Sequence, residues 1–457
     1  MDSEPSCSSQ ARLVCKYGNK DDKEDEEDGC PPAKKVAVDS SLQQVPPLFY
    51  VTKVRGIDEH YNSSSLAISL KDILAMGELV ASAQVGVIPL DVLYHCVSHR
   101  ATPLLLVHGE HADGLTRLKM ACKPFPNISL FQAPLKIPYG THHSKMMLLL
   151  LDCGMRVVIH TANLIEKDWD QKTQGAWVSP LFPKEPSGPS TFQKDLLDYL
   201  TAYGGTGLDV WKQHIREHNM DAARVHLIAS VPGAHTSSSM HQWGHMKLRK
   251  VLSQHGPPAS RVDKDWTVIG QFSSVGSLGT SSSQWLCSEW LTSLSACREA
   301  KLLGARSFPQ LQLIFPSVEN VRSSLEGYMA GGSIPYDRKV AEKQSYLTGY
   351  LWVSPDCTQL AWFLVTSANL SKAAWGAMEK QASQLKIRSY EIGVLFLPTD
   401  DGLLSVATHL DSFPNPEIAV PVPYDLPLTQ YGKKDRPWMW NGTYTEPDSH
   451  GRVWTPP

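Results

Sequence analysis

Two apolar segments joined by a short turn constrain this chain most strongly. Residues 146–151 and 155–160 are almost wholly apolar, and Asp152-Cys153-Gly154 lies between them. Runs of this length around a glycine-containing turn predict a β-hairpin. His143 and Lys145 precede the first arm, and Asn163 follows the second. Because side chains alternate along a strand, His143 and Lys145 share one face, and the returning arm brings Asn163 to the same end.

The three side chains predicted to meet there are an imidazole, an ammonium and a carboxamide. The sequence places no carboxylate among them, so we expect no metal ion at this site. The set suits an anion under attack, with histidine as nucleophile and Lys and Asn as donors to the oxygens of a phosphoryl group. A His-x-Lys pair by itself also occurs by chance, and a histidine at the mouth of a strand is usually an ordinary surface residue.

An internal repeat supports the catalytic interpretation. Thr161-Ala162-Asn163-Leu164 recurs as Ser367-Ala368-Asn369-Leu370, and a tryptophan follows each Asn at the same interval. Such a repeat implies two similar halves that face each other, each supplying one Asn. We therefore predict an α/β fold of two halves, residues 46–222 and 223–457. Each half is a mixed β-sheet flanked by helices, and the two are related by a pseudo-two-fold axis with the site between them.

Periodicity predicts further elements around the hairpin. Helices are expected at Leu66–Met76 and Phe192–Ala202, and strands at Leu104–His108, Ile128–Ala133, Val225–Ala229, Thr267–Gly270 and Trp362–Val365. His245-Met246-Lys247 is a second His-x-Lys, but it lies in a segment with helical periodicity. No Asn follows it at the interval found after Lys145, so a structural or surface role is expected.

The repeated pattern resembles the phospholipase D superfamily, and its flanking segments are similar to the tyrosyl-DNA phosphodiesterases within it. These segments are GTHHSKMMLLL, VVIHTANLI, DWDQKTQG, FLVTSANLSKAAWG, SYEIGVLFLP and KDRPWMWN. The resemblance covers roughly residues 46–457. The lipases of the superfamily have an Asp where this chain has Leu150, which favours the DNA-repair branch over phospholipid hydrolysis.

The resemblance implies two phospholipase D-like halves and a role for each matching residue. His143, Lys145, Asn163 and Asn369 match catalytic positions, and Gln174 and Glu391 match residues that orient the histidines. The positions that match DNA contacts are Tyr139, Ser274, Ser277, Ser371, Arg436 and Trp440. Judged by composition alone, the Ser/Gly loop at 271–279 is either a phosphate-contacting segment or an ordinary turn.

The implied activity is the processing of DNA 3′ ends in single-strand break repair. An enzyme of this kind hydrolyses 3′-phosphotyrosyl and related adducts, such as topoisomerase I remnants, through a phosphohistidine intermediate and leaves a 3′-phosphate. We expect neither cofactor nor metal, DNA 3′ ends as partners, no membrane contact, a monomer, and a nuclear location with a possible cytoplasmic pool.

One part of the family pattern is missing. The family has a second His-x-Lys about twenty residues before the second Asn, and its histidine is the general acid and base. Here Tyr346 and Thr348 stand near those positions, and no histidine occurs between His255 and His409. A deletion is our leading explanation, and divergence to a degenerate site is the second. The alternative function is thus an impaired or covalently trapping protein that binds DNA 3′ ends; a lipid phosphodiesterase is a third, disfavoured class.

Composition sets the remaining expectations. The net charge is −3, and the first forty residues hold ten acidic against six basic side chains, so residues 1–45 are predicted to be a disordered acidic tail. The remainder is near neutral, so DNA contact must be local. Nine cysteines without a Cys-x-x-Cys pair indicate reduced thiols. We expect a soluble intracellular protein, in which Pro31–Val36 is either a weak nuclear-import signal or plain tail.

Overall fold

The structure is a computed structural model that describes residues 48–86, 102–185, 188–260, 266–299, 309–344, 359–399, 402–407, 419–424 and 428–456. Residues Val45–Pro457 form one compact unit. The acidic tail with its Pro31–Val36 segment, and the positions Tyr346 and Thr348, lie outside the described residues. The boundary at 222/223 between the two halves stays a prediction.

A single mixed sheet organises the first half. Its strands are β1 Tyr50–Thr52, β2 Ala67–Ile68, β3 Leu79–Val85, β4 Leu104–His108, β5 Ile128–Gln132, β6 Met146–Leu151, β7 Gly154–His160 and β8 Gly175–Val178. They are ordered β2-β1-β8-β7-β6-β3-β4-β5. The predicted hairpin is confirmed, since β6 pairs antiparallel with β7 and, on its other side, with β3.

Short helices connect and cover the strands. They are α1 Glu59–Asn62, α2 Leu70–Leu74, α3 Ala112–Cys122, α4 Glu166–Asp170, α5 Thr191–Ala202, α6 Asp209–Glu217, α7 Gly244–His255, α8 Thr292–Leu294, α9 Val318–Arg322, α10 Arg338–Lys343 and α11 Lys372–Trp375. A π-helical segment, Leu286–Leu291, leads into α8, and 3₁₀ segments lie at Ser237–His241 and Gly327–Ser333. The helical interpretation of the second His-x-Lys is confirmed by α7.

The helix predicted at Leu66–Met76 is wrong at both ends. Residues Ala67–Ile68 pair with β1 instead, and α2 begins only after Ser69. Ser69 and Asp72 form a capping box there, in which each side chain accepts from the other residue's backbone N–H. Such a box fixes a helix start, and Asp72 is the third helical residue, as the motif requires.

The strands of the second half form several smaller sheets. They are β9 His226–Ser230, β10 Gly233–Thr236, β11 Thr267–Gln271, β12 Gln310–Ile314, β13 Gln359–Leu360, β14 Phe363–Thr366, β15 Ala377–Glu379, β16 Gln384–Ile387, β17 Glu391–Phe396, β18 Leu404–Ala407 and β19 Ala419–Pro421. The sheets are β14-β17-β9, β11-β12, β10-β16-β15 and β13-β18-β19.

Strand pairing shows the repeat in three dimensions. In the first half β7 pairs antiparallel with β8, β8 pairs antiparallel with β1, and β3 is parallel to β4. The second half has the same relations in β14–β17, β17–β9 and β11–β12. In the first half β6 lies between β7 and β3 and so joins the strands β1-β8-β7 to the strands β3-β4. In the second half no strand among the described residues lies between β14 and β11. As far as the described residues show it, the second sheet is therefore in two parts at the place that corresponds to β6.

The two halves share a hydrophobic core. One cluster of buried side chains contains Val157 and Trp177 of the first half together with Val365, Ile392 and Phe396 of the second. This packing brings the end of β7 and the end of β14 to one region, with Asn163 and Asn369 just beyond them. The four cysteines that the structure describes as free are Cys122, Cys153, Cys287 and Cys297.

Candidate active site

The His143–Lys145 segment is held by contacts on both of its faces. Toward the core, His142 Nε2 lies 2.9 Å from the Tyr203 hydroxyl, and Ser144 shares a hydrogen bond with the Tyr199 hydroxyl. Both tyrosines lie on or next to α5, and all four side chains are buried. Because residues alternate, His143 and Lys145 point the opposite way, toward a cleft between the halves.

His143 is fixed by a carboxylate of the other half. Its Nδ1 lies 2.9 Å from Glu391 Oε2, and its backbone N–H donates to the Tyr390 carbonyl oxygen at 3.0 Å. Glu391 is 4% exposed and also accepts from Ser367 Oγ at 2.6 Å. Ser367 Oγ in turn accepts from the Ile392 N–H at 3.0 Å, so its own proton goes to Glu391.

This pattern determines the histidine tautomer. An ionised carboxylate only accepts, so the Nδ1 of His143 carries the proton donated to Glu391. In the neutral imidazole Nε2 then keeps its lone pair. His143 is partly exposed, with 29% of its side chain accessible, and it lines the cleft. The imidazole is thus oriented as a nucleophile, as a carboxylate orients histidine in other sites.

Lys145 supplies a buried positive charge beside the histidine. It is 3% exposed, and its Nζ donates to the carbonyl oxygen of His143 at 2.9 Å. Burial lowers the pKa of Lys145 to about 8, although the nearby Glu391 and Asp168 carboxylates act in the opposite direction. Near neutral pH the ammonium is charged and can bind phosphate oxygens.

Two anchors hold the asparagines. Asp168 Oδ2 accepts from Asn163 Nδ2 at 2.8 Å and from the Asn163 backbone N–H at 2.9 Å. Lys172 Nζ donates to the other oxygen of Asp168 at 3.0 Å. Across the cleft, Asn369 Oδ1 accepts from Ser273 Oγ and from the Ser274 N–H, both at 3.1 Å. Within the described part of the chain, Asn369 Nδ2 has no hydrogen-bond acceptor, so this group can donate to a ligand in the cleft.

The cleft has a volume of about 1810 Å³. Five of the predicted site residues line it: His143, Lys145, Asn163, Gln174 and Asn369. Gln174 Oε1 accepts a hydrogen bond from Thr161 Oγ1 at 2.6 Å, and Thr161 lies two residues before Asn163 in the chain. Glu391 lies behind His143. His143 is the single histidine among the described residues that line the cleft.

Sequence reasoning missed Asp168, Lys172 and Ser273, which also line the cleft. The first two lie in the DWDQKTQG segment, four residues apart, and Ser273 directly precedes Ser274. Their role comes from tertiary contacts with the two asparagines. The sequence offered one indication of these three residues, namely that each lies close in the chain to a residue already selected for the site.

The predicted DNA contacts fall into two groups. Tyr139 is 89% exposed with φ of +60°, and Ser277 is also exposed. Ser371 caps α11 by accepting from the Ala374 N–H, and Gly276 N–H donates to Leu370 O, so the serine loop lies against the segment after Asn369. Ser274 Oγ donates a hydrogen bond to the Pro335 carbonyl oxygen at 3.0 Å.

Arg436 and Trp440 form the second group, and the structure does not place them in the cleft lining. The backbone of Arg436 accepts from the Val318 N–H, and that of Trp440 bonds Tyr336 and the Trp454 indole. Both residues belong to a C-terminal segment that packs around a cluster containing Tyr328 and Trp438. Their DNA contact stays a prediction.

The second His-x-Lys does not reach the cleft. His245 is 1% exposed within α7, and its Nδ1 lies 2.8 Å from Ser293 Oγ. Within the described ranges no group of three or more His, Cys, Asp or Glu side chains could hold a metal ion. No helix among those residues has the length and apolar character needed to cross a bilayer.

Lys145 leads to a pH prediction. Binding of a DNA end with a 3′-phosphate is expected to weaken as pH rises through about 8, where Lys145 loses its charge. The effect on stability has the opposite sign. Because the folded-state pKa lies below the ordinary 10.5, the penalty of burying the charge is present below about 8 and is relieved as pH rises toward the unfolded value.

The measurement is the dissociation constant of a 3′-phosphorylated oligonucleotide between about pH 6.5 and 9.5 at constant ionic strength. Lys145→Gln is the matched variant, and its binding should be weak with little dependence on pH over that range. A wild-type affinity that does not change across this interval would contradict the prediction.

Comparison with known proteins indicates the family to which the chain is similar. A family model described as tyrosyl-DNA phosphodiesterase matches residues 48–353 and 348–432. Tyrosyl-DNA phosphodiesterase 1 of Drosophila melanogaster is 34% identical over 423 residues, covering 83% of this chain and 71% of the fly protein. A probable tyrosyl-DNA phosphodiesterase of Caenorhabditis elegans is 33% identical over 93% of this chain and 96% of the worm protein. The crystal structure of yeast tyrosyl-DNA phosphodiesterase, at 19% identity, has a similar fold with a TM-score of 0.65 over 86% of this chain and 99% of that one.

The family match consists of two pieces that overlap at residues 348–353. This is the stretch in which the second His-x-Lys is missing from the sequence. The two pieces together still cover well over half of the chain. The chain belongs to the tyrosyl-DNA phosphodiesterase family of hydrolases, within the phospholipase D superfamily.

Proposed function

We propose that this chain is a DNA-repair phosphodiesterase that removes tyrosyl peptides and related adducts, such as topoisomerase I remnants, from DNA 3′ ends. The observation that carries the proposal is the arrangement of His143, which lines the cleft and whose Nδ1 lies 2.9 Å from the buried Glu391 carboxylate. The same cleft holds Lys145, Asn163 and Asn369. We further propose that the protein acts as a monomer in the nucleus.

The first chemical step forms a bond between His143 Nε2 and phosphorus. The bond from phosphorus to the tyrosine oxygen breaks, and the phenolate leaves with the electron pair and takes a proton from solvent. Lys145, the Asn369 Nδ2 group and the second hydrogen of Asn163 Nδ2, whose first goes to Asp168, donate to the non-bridging oxygens, on which negative charge gathers. The Glu391 carboxylate stabilises the positive charge that develops on the imidazole.

The second step releases the DNA. Water attacks phosphorus, the nitrogen–phosphorus bond breaks, and a 3′-phosphate is left while His143 regains its lone pair. This step needs a base to take the proton of the water, and general acid–base help is typically worth about 10²- to 10⁴-fold. DNA is proposed to lie along Tyr139, Ser274, Ser277 and Ser371, where an exposed ring can stack on a base.

A second candidate function follows from the missing histidine. Among the described residues of the cleft, no other imidazole accompanies His143, and the family match is interrupted where the second one belongs. A phenolate is a fair leaving group, so the first step needs less proton transfer than the second. The second candidate is a protein that attacks the adduct once and remains joined to the DNA through His143.

One experiment tests both candidates. The purified chain is incubated in EDTA with a labelled oligonucleotide that ends in 3′-phosphotyrosine, and the products are resolved on denaturing gels. Free 3′-phosphate in large excess over protein supports the turnover enzyme. A protein-linked oligonucleotide without turnover supports the trapping protein, and absence of both species contradicts the two of them. Because the proposed chemistry uses side chains alone, EDTA is expected to leave the result unchanged.

A further inference from the structure

A second cavity, of about 230 Å³, lies away from the catalytic cleft. The first turn of α5, one face of α7 and the first residue of β9 line it, and both helices pack against β9. The far end of β9 is Ser230, which pairs with Glu391. His226, at the cavity, lies four residues before Ser230, or about 13 Å along the strand. No residue among those described lines both the cavity and the cleft.

The wall of this cavity carries an excess of positive charge. Lys194, Lys247 and Lys250 line it, and Asp195 is the one carboxylate among its described lining residues. Three ammonium groups and one carboxylate give a net charge of +2. Lys247 Nζ donates to Asp195 Oδ2 at 2.8 Å. Within the described residues no carboxylate pairs with Lys194 or Lys250, so the excess charge belongs to these two.

Helical spacing explains why these side chains converge. Lys247, Lys250 and Gln254 follow one another at intervals of three and four residues, which puts them on one face of α7. Two residues correspond to about 200° around a helix, so His245 and Lys247 of the second His-x-Lys point in opposite directions. His245 faces the buried Ser293, whereas Lys247 reaches the cavity. The motif therefore contributes to a site other than the catalytic cleft.

Two imidazoles complete the cavity wall. The rings of His226 and His255 stack with centroids 5.0 Å apart and planes 23° apart. Burial, together with His255 and Lys247, lowers the pKa of His226 to about 4, so this ring is neutral near pH 7. A neutral imidazole has one N–H to donate. No hydrogen bond joins either ring to another group in the described part of the chain, so these donors are open to a ligand.

We propose that this cavity binds a phosphate dianion, either free or as the terminal monoester of a small molecule. The charge of −2 matches the +2 of the wall, and ammonium groups form strong charge-assisted hydrogen bonds with phosphate oxygens. A monoester loses its second proton near pH 6, so the dianion is present at neutral pH. A phosphodiester within a DNA strand carries one charge and matches the wall less well. Occupancy of this cavity does not depend on the chemistry proposed for the cleft.

The test observes the histidines directly. The full chain is labelled with carbon-13 at histidine Cε1, and its NMR spectrum is recorded at about pH 7.5 and constant ionic strength while inorganic phosphate is added. His226→Gln and His255→Gln assign the two signals. The His143 signal reports phosphate in the catalytic cleft separately. We expect a saturable change in the His226 and His255 signals.

A double variant tests the two unpaired lysines. Lys194→Gln combined with Lys250→Gln removes both charges, and the protein should stay folded because both side chains are exposed. The apparent dissociation constant from the His226 signal should rise at least about tenfold. Lys119→Gln, which removes an exposed lysine outside both the cavity and the cleft, should change it by less than about twofold.

Two results would overturn the proposal. One is a wild-type response that never saturates or is absent, as occurs if another part of the chain fills the cavity. The other is a saturable response that the double variant retains unchanged.

Comparison of ligands identifies the form of phosphate. Dimethyl phosphate, which carries one charge, should bind at least about tenfold more weakly than inorganic phosphate, and equal affinity would contradict recognition of the dianion. Adenosine 5′-monophosphate is the third probe. Tighter binding than that of inorganic phosphate identifies a nucleotide as the ligand, equal binding shows that the phosphate group alone is recognised, and weaker binding identifies the free ion.

Discussion

Replacing His143 with alanine is expected to abolish both cleavage and the protein-linked DNA. Glu391 holds the imidazole at 2.9 Å, and the backbone N–H of His143 donates to the Tyr390 carbonyl oxygen at 3.0 Å. Loss of a nucleophile commonly costs about 10⁴-fold or more, because the residual rate comes from binding and electrostatics alone. The measurement is the single-turnover rate of tyrosine release, which does not depend on the second step.

The matched control is His111→Ala, which removes an exposed histidine outside the cleft lining. It should leave the single-turnover rate within about twofold of the wild-type rate. Acid treatment adds a chemical check, since a nitrogen–phosphorus bond is labile in acid and a phosphoserine bond is stable. A DNA-linked protein that survives acid, or that persists in His143→Ala, would assign the attack to another residue.

The core of this site could be predicted because it depends on local geometry. The two-residue period of a strand puts His143 and Lys145 on one face, and the hairpin returns Asn163 to the same end. The internal repeat then adds Asn369 from the other half, without any knowledge of the intervening chain. These four residues line one cleft, as that reasoning requires.

Other parts of the site depend on contacts between residues far apart in sequence. Asp168 anchors Asn163, and Ser273 anchors Asn369 across 96 residues of chain. Neither contact has a periodic signal. Trp440 was selected from a motif alone; its backbone forms hydrogen bonds with Tyr336 and Trp454, and its contact with DNA stays a prediction.

The divided sheet was likewise beyond local reasoning. The missing His-x-Lys could be read from the sequence, but its structural result required the pairing of β14 with β17 and of β11 with β12. Among the described residues β14 and β11 belong to two separate sheets, whereas β6 joins the corresponding strands of the first half.

Replacing Glu391 with glutamine is expected to lower the single-turnover rate by roughly 10³-fold, with little change in substrate affinity. The glutamine side chain has nearly the same shape, but it lacks the negative charge that stabilises the imidazolium of the intermediate. Where its NH₂ group faces His143, it donates to Nδ1 and moves the histidine proton to Nε2, which removes the attacking lone pair. Glu391 does not line the cleft, so ground-state binding should persist.

Ser367→Ala separates this effect from a general loss of structure. It removes one of the two donors to Glu391, the hydroxyl at 2.6 Å, and leaves the carboxylate opposite His143. Its rate should fall by about tenfold or less, although it too disturbs a buried hydrogen bond. The two variants are compared by their thermal midpoints and by the pH dependence of the single-turnover rate. If Glu391→Gln retains the wild-type rate, or if both variants lose rate only in proportion to their loss of thermal stability, then Glu391 does not set the tautomer of His143.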